Sequence, residues 1–300
     1  MNWKNVVVVG VLSFLPLSIL AQANILNAKK PEDIGKKTEA QMEADDDAPL
    51  EYGYVDDRDI LWSKTVWEVV DLDERVNFPL YYPTDTIGIG SDRRSLFHVL
   101  MKNIQNGKLT DVYTDSYFTE KRTLSDLDAT LQSVDTTDYG YEQINAGEQL
   151  SEEFVIRRDL TAADIEEYRI KGIWYFDKRQ GELKYRLLGI APVAPDVNFV
   201  DDESMDPNEN KVELFWIWYP SARQILHDAK VFNNRNSAQP ISFDMLLNAR
   251  RFNGVIYKED NVHGDREIND YIFDNALFQL LEANRIKETI RDREQDMWAY

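Results

Sequence analysis

The chain has 300 residues, with 54 acidic against 34 basic side chains, a net charge of −20 and no cysteine. That balance argues against nucleic acid and against a bare anionic membrane as partners, since both need a basic surface. The missing thiols exclude disulfides, a thiol nucleophile and a lipidated N-terminal cysteine, so the fold must be held by burial alone.

Residues 1–23 read as a signal peptide: Lys4, then the uncharged run "VVVVGVLSFLPLSIL", then Ala21-Gln22-Ala23 as a small-residue cleavage signal. Cleavage after Ala21 and after Ala23 both fit. The apolar run is shorter than the ~20 residues a spanning helix needs, and no second stretch is long and apolar enough, so no direct membrane span is expected. Residues 24–57 are polar, end in an acidic run and read as a flexible linker. Residues 58–300 read as a single α+β domain: helices packed on a small, mostly antiparallel sheet, closed by a long C-terminal helix.

From Asp59 the apolar residues Trp62, Val66, Val69 and Val70 fall at helical spacing, and a helix is preferred there over a strand at 65–70. It would end before "NFPLYYP", where Pro79 and Pro83 bracket an extended aromatic run. Ser91 or Asp92 can cap a helix with the stripe Leu96, Phe97, Leu100, Met101 and Ile104, closed by Gly107. "KLTDVYTD" reads as a strand, 124–134 as a short helix and 135–149 as a polar loop. Thr161 followed by Asp164 has the form of a capping box. "GIWYFDKRQGELKYRLLGIAPV" predicts a β-hairpin turning at Gly181, and "VELFWIWYP" a strand covered on both faces. Helices near 221–229 and 242–251, a strand in "NGVIYKED" and one helix over 268–298 complete the reading. The segments 79–118 and 214–262 echo one another, matching Gly107 to Gly254; an internal duplication and a chance likeness of helix–Gly–strand units both account for it.

Chemistry leaves few marks. His98, His227 and His263 are far apart and lack metal-ligand spacing, and no P-loop, dinucleotide fingerprint or nucleophile elbow occurs. The acids from Asp201 to Glu209 lack an EF-hand pattern. "WEVVDLDE" sets carboxylates beside rings, as a glycan-cutting cleft does, but a chain with 54 acids produces such pairs by chance. No catalytic, cofactor-binding or metal-binding residue is therefore assigned.

"DILWSKTVWEVVDLDERVNFPLYYP", "RRSLFHVL", "DVYTDSYFTEK", "GIWYFDKRQGELKYRLLGIAPV", "WIWYPSARQIL" and "VIYKEDNV", in this order, resemble the gliding-motility GldN family and its PorN counterparts. The resemblance implies a non-enzymatic, periplasmic subunit of the type IX secretion and gliding machinery of Bacteroidetes. It implies a ring with an outer-membrane lipoprotein of the GldK/PorK type, at the inner face of that membrane, and contact with a GldM/PorM-type motor protein. The family has no known catalytic residues to carry over.

Aromatic and Arg side chains are the residues enriched at protein interfaces. The residues expected to meet partners are accordingly Tyr81, Tyr82, Trp216 and Trp218, with Arg285, Arg291 and Arg293 on the charged end of the last helix. Trp62 and Trp67 read as core or as interface anchors. A closed ring requires each copy to offer one face to a different face of its neighbour. A periplasmic glycan-binding or glycan-hydrolysing protein, and an adaptor in a one-to-one complex, are the alternative functions.

Overall fold

The computed structural model describes residues 48–298 except 86, 88–92, 148, 150, 199–209, 234–240 and 274. The signal peptide, nearly all of the linker, Ser91, Asp92 and the acidic run 201–209 lie outside the described residues. In chain order the elements are β1 (Ile60–Asp71), α1 (Phe78–Tyr81), α2 (Leu96–Gln105), β2 (Val112–Tyr113), α3 (Leu124–Leu131), β3 (Gln132–Thr136), α4 (Asp138–Asn145), β4 (Val155–Asp159), β5 (Glu167–Asp177) and β6 (Glu182–Pro195). They continue with β7 (Lys211–Glu213), β8 (Trp216–Trp218), α5 (Tyr219–Asp228), β9 (Lys230–Val231), β10 (Ile241–Ser242), α6 (Phe243–Asn248), β11 (Val255–Glu259), α7 (Ile268–Tyr271) and α8 (Ala276–Trp298).

One seven-stranded sheet runs β11-β1-β5-β6-β8-β2, with β7 also on β6, and every pairing in it is antiparallel. This is the α+β architecture expected. The long hairpin β5–β6 turns at Gly181, whose φ of +66° a side chain would resist.

Segment 60–71 is a strand, which corrects the helix expected there. Its burial explains the misreading. Val66, Trp67 and Glu68 are buried in succession, because helix α8 covers one face of β1 and the loop after β2 covers the other. A strand covered on both sides loses the alternation that would have marked it. Its β-branched residues fit the pleat.

The helices other than α4 gather on one face of the sheet. Val70, Ile170, Leu187 and Ile217 pack there with Leu100 of α2, Leu226 of α5 and Leu246 of α6. Further along the same face, Val66 and Ile256 pack against Ala283, Ile286 and Ile290 of α8. Glu68 stands between the two clusters, 1% exposed, and its carboxylate accepts from Arg250 Nη2 at 2.8 and 2.9 Å. The other face carries Trp67 and Trp216, covered by the loop after β2 through Phe118 and Tyr117. Lys171 Nζ lies 4.8 Å from the Trp67 ring and donates to the Ser116 carbonyl at 2.8 Å. Burial lowers the Lys171 pKa.

Ser95 is the N-cap of α2, its hydroxyl accepting from His98 N, and Gly107 with φ +68° closes the helix. After α6 the matching left-handed residue is Arg250, φ +49°, where the sequence echo pointed to Gly254. The loop expected over 135–149 instead holds the end of β3 and helix α4, started by Thr137, whose hydroxyl accepts from Gly140 N. Thr161 and Asp164 close a turn, Thr161 N donating to Asp164 Oδ2 at 2.6 Å, and β5 follows in place of a helix. The terminal helix is split: α7 ends at Tyr271 and α8 starts afresh at Ala276, with Asn275 Oδ1 accepting from Phe278 N at 3.0 Å.

Candidate functional site

Helix α8 has two unlike faces. Ala283, Ile286 and Ile290 recur at helical spacing and seat the helix on the sheet. The first two turns turn apolar side chains the other way. Leu277 is 64% exposed, and Phe278, Leu280 and Leu281 are exposed with it; Phe273, in the break before the helix, is 73% exposed. A helix end that is apolar all round belongs in a buried setting, and an apolar patch of this kind marks an interaction surface.

A shallow groove runs between the α7–α8 break and the first turns of α8, with Phe273, Phe278 and Leu281 as its apolar wall. Its polar edge is built from three side chains. Arg285 Nε and Nη2 donate to the two oxygens of Glu282 at 2.8 and 2.6 Å, and Tyr271 OH lies 3.3 Å from Glu282 Oε1. Hydrogen bonds from Arg285 hold the Glu282 carboxyl below the usual carboxylate range. Burial, then the neighbouring Glu282, pushes the Tyr271 phenol up to about 12. This edge therefore keeps fixed charges around neutral pH: one ion pair and one neutral phenol.

A second aromatic patch lies at α1. Tyr82 is exposed, with its ring 5.4 Å from Phe78 and 4.7 Å from Tyr81. Tyr81 is half-buried and donates its hydroxyl to the Ala163 carbonyl at 3.0 Å. Pro79 stands in the first turn of α1, where its missing N–H costs nothing.

The residues chosen from sequence are scattered. Trp216 is fully buried, and its indole N–H donates to Glu213 at 2.5 Å. Phe118 of the loop after β2 covers it, ring centres 6.4 Å apart, so the side chain is enclosed in the free chain. Trp218 is half-buried against Phe118, ring centres 4.9 Å apart. Arg285 is committed to Glu282, Arg291 lies 3.9 Å from Glu288, and Arg293 is exposed. Trp67 is buried, and Trp62 is half-buried against the α8 cluster.

On this helix the sequence reading names only the charged end, Arg285, Arg291 and Arg293, and not the apolar start. The signal that separates them was present. Ala283, Ile286 and Ile290 form a stripe that continues into the charged half, leaving Leu277, Phe278 and Leu281 free to face outward.

Glu68, the carboxylate nearest the aromatic run, is locked into the ion pair with Arg250 and is enclosed. Among the described residues no three His, Asp or Glu side chains gather as a metal-binding group, and no helix is long and apolar enough to cross a membrane.

The family model "Gliding motility associated protein GldN" matches residues 55–299. The chain belongs to the GldN family. The match takes in every strand and helix described above, from β1 to α8. Membership makes this a gliding-motility protein, as the resemblance implied. No curated protein matches the chain.

Proposed function

We propose that this GldN-family chain is a non-enzymatic structural subunit of the type IX secretion and gliding machinery. It works in the periplasm, at the inner face of the outer membrane. There it joins an outer-membrane lipoprotein of the GldK/PorK type in a ring and contacts a motor protein of the GldM/PorM type. The observation that carries this reading is the apolar surface made by Phe273 and by Leu277, Phe278, Leu280 and Leu281 in the first turns of α8, left open to solvent in a chain that belongs to a gliding-motility family. A side-chain set of that kind favours association, because burying it against another surface removes apolar area from water. Ring contacts between copies are heterologous, so the α8 surface of one copy meets a different surface of the next. Tyr81 and Tyr82, Trp218 and the Arg291 and Arg293 end of α8 are further contact residues in this reading.

The test is a pull-down from solubilised envelopes through a C-terminal tag, followed by mass spectrometry and particle sizing. A large regular assembly containing an outer-membrane lipoprotein is the expected result. The double variant Leu277→Ser/Leu281→Ser should shrink that assembly while the free chain keeps its melting temperature. A monomer, or a chain that comes down with glycan fragments, overturns the reading.

A further inference from the structure

The segment 123–159 forms a small module of its own. Helix α3 ties it to the core through Leu127 and Leu131. Beyond α3 come helix α4 and the two-stranded sheet β3–β4, which among the described residues pairs with no strand of the main sheet. A lone two-stranded sheet and an eight-residue helix are each marginal in water. Helix α4 leans on the module by one side only. The Tyr139 ring sits 6.4 Å from Phe154, and Gln143 Oε1 accepts from Ser151 N at 3.2 Å. Tyr141 and Ile144, one turn apart, face outward and are exposed, as are Tyr139 on the flank and Ile156 in β4.

The charge around this apolar face is one-sided. Residues 123–159 hold nine Asp or Glu against two Arg, about a third of the net charge of the whole chain. Glu142, Glu152 and Glu153 are exposed beside the face: Glu142 follows Tyr141 directly, and Glu153 precedes the Phe154 that touches Tyr139. Apolar anchors in an acidic frame complement a ligand that has an apolar stripe flanked by Lys or Arg.

We infer that the outward face of α4 docks a basic amphipathic helix of a partner protein, with Tyr141 and Ile144 as anchors and Glu142, Glu152 and Glu153 as the charged rim. The surface shares no residue with the apolar end of α8. The inference deepens the reading of the chain as an assembly subunit, and names the chemistry of one partner. An amphipathic helix fits because its i, i+3 and i+4 positions can cover Tyr141 and Ile144 while its flanks reach the acids. Docking would also supply the packing that α4 lacks.

The test uses the mature chain and a Leu/Lys amphipathic peptide about 18 residues long, titrated by calorimetry. The controls are a same-composition peptide scrambled to lose its stripe and a Leu/Glu version. Saturable binding of the Leu/Lys peptide, weakening as salt rises, is expected, with both controls at least about tenfold weaker. Tyr141→Ser/Ile144→Ser should weaken it about tenfold or more, and so should Glu142→Lys/Glu153→Lys. All four positions are exposed, so circular dichroism should report an intact fold in both variants. Equal binding of the scrambled peptide, or binding indifferent to Tyr141 and Ile144, overturns the inference and leaves only the attraction of an acidic protein for a cation. Leu277→Ser/Leu281→Ser should leave peptide binding unchanged. Loss of peptide binding in a chain that still assembles sinks this inference alone; a chain that never assembles yet binds the peptide sinks only the secretion-ring reading.

Discussion

Gly172 of β5 lies directly beneath the ring of Tyr185 in β6: a Cβ at Gly172 would stand 2.1 Å from the Tyr185 hydroxyl and 2.2 Å from its Cζ. The contact forms where the β5–β6 register shifts between Lys171 and Gly172. It lets the tyrosine lie flat on the sheet, where the Arg250 guanidinium covers the ring at 4.2 Å. Replacing Gly172 with Ala should therefore cost about 1–3 kcal/mol, the usual cost of forcing extra volume into a packed interior. A urea midpoint equal to that of the parent chain would mean the ring can swing clear.

Arg223 and Asp244 join α5 to α6 by a two-pronged pair, Nε to Oδ1 at 2.9 Å and Nη2 to Oδ2 at 3.1 Å. Tyr219 OH also donates to Asp244 Oδ1, at 2.8 Å. Both partners are buried. Asp244→Ala should lose about 3–5 kcal/mol, because it strands a buried guanidinium. Replacing Arg223 and Asp244 together with apolar residues of similar volume should lose less. Chemical denaturation of the two single variants and the double variant closes the cycle, and an additive double variant would refute coupling.

The two faces of α8 should separate in a stability measurement. Ile286→Ala and Ile290→Ala remove buried side chains and should each cost about 2–5 kcal/mol. Leu277→Ala and Leu281→Ala, on the open face, should each stay within about 0.5 kcal/mol in the free chain. If Leu281→Ala melted as early as Ile286→Ala, the outward placement of the first turns would be wrong.

The Glu282–Arg285 pair gives the start of α8 an acid dependence. The folded-state pKa of Glu282 is depressed, chiefly by Arg285. Its contribution is therefore present above the unfolded-state value of about 4.3 and is lost as pH falls through the folded value. Stability of the parent chain over Glu282→Gln should shrink as pH drops below about 4 and be constant from about pH 6 upward. Denaturation midpoints of both proteins across that range test it; a gap that widens toward acid would reverse the assignment.

Much of this architecture could be read from sequence where a local rule acts alone. Gly181 marks the β5–β6 turn because only a left-handed residue closes it, and Gly107 ends α2 for the same reason. The α+β class followed from such elements. Reading failed where the tertiary setting erased the local pattern. Val66 to Glu68 are buried in succession because both faces of β1 are covered, by α8 and by the loop after β2, so a strand took on a helix-like spacing. Trp216 looked like an interface aromatic because composition cannot tell an enclosed tryptophan from an exposed one. The open end of α8 was hidden because an apolar residue in an amphipathic helix is normally turned inward. Only the complete Ala283–Ile286–Ile290 stripe says otherwise. Helix α4 went unread because two tyrosines and an isoleucine among acids resemble a loop.

The sheet order has a temporal consequence. Strand β11, at the sheet's edge, pairs with β1, so among the described residues the last strand is zipped onto the first across nearly two hundred residues. Such a pairing bears the largest loop-closure entropy in the sheet, and distant pairings set the slow step in folding. Until residues 255–259 emerge, β1 has one unsatisfied edge, and α8, which follows them in the chain, cannot complete the layer over Val66 and Ile256. The sheet therefore cannot be completed as the chain is threaded out from its beginning. It closes only when both ends are present together.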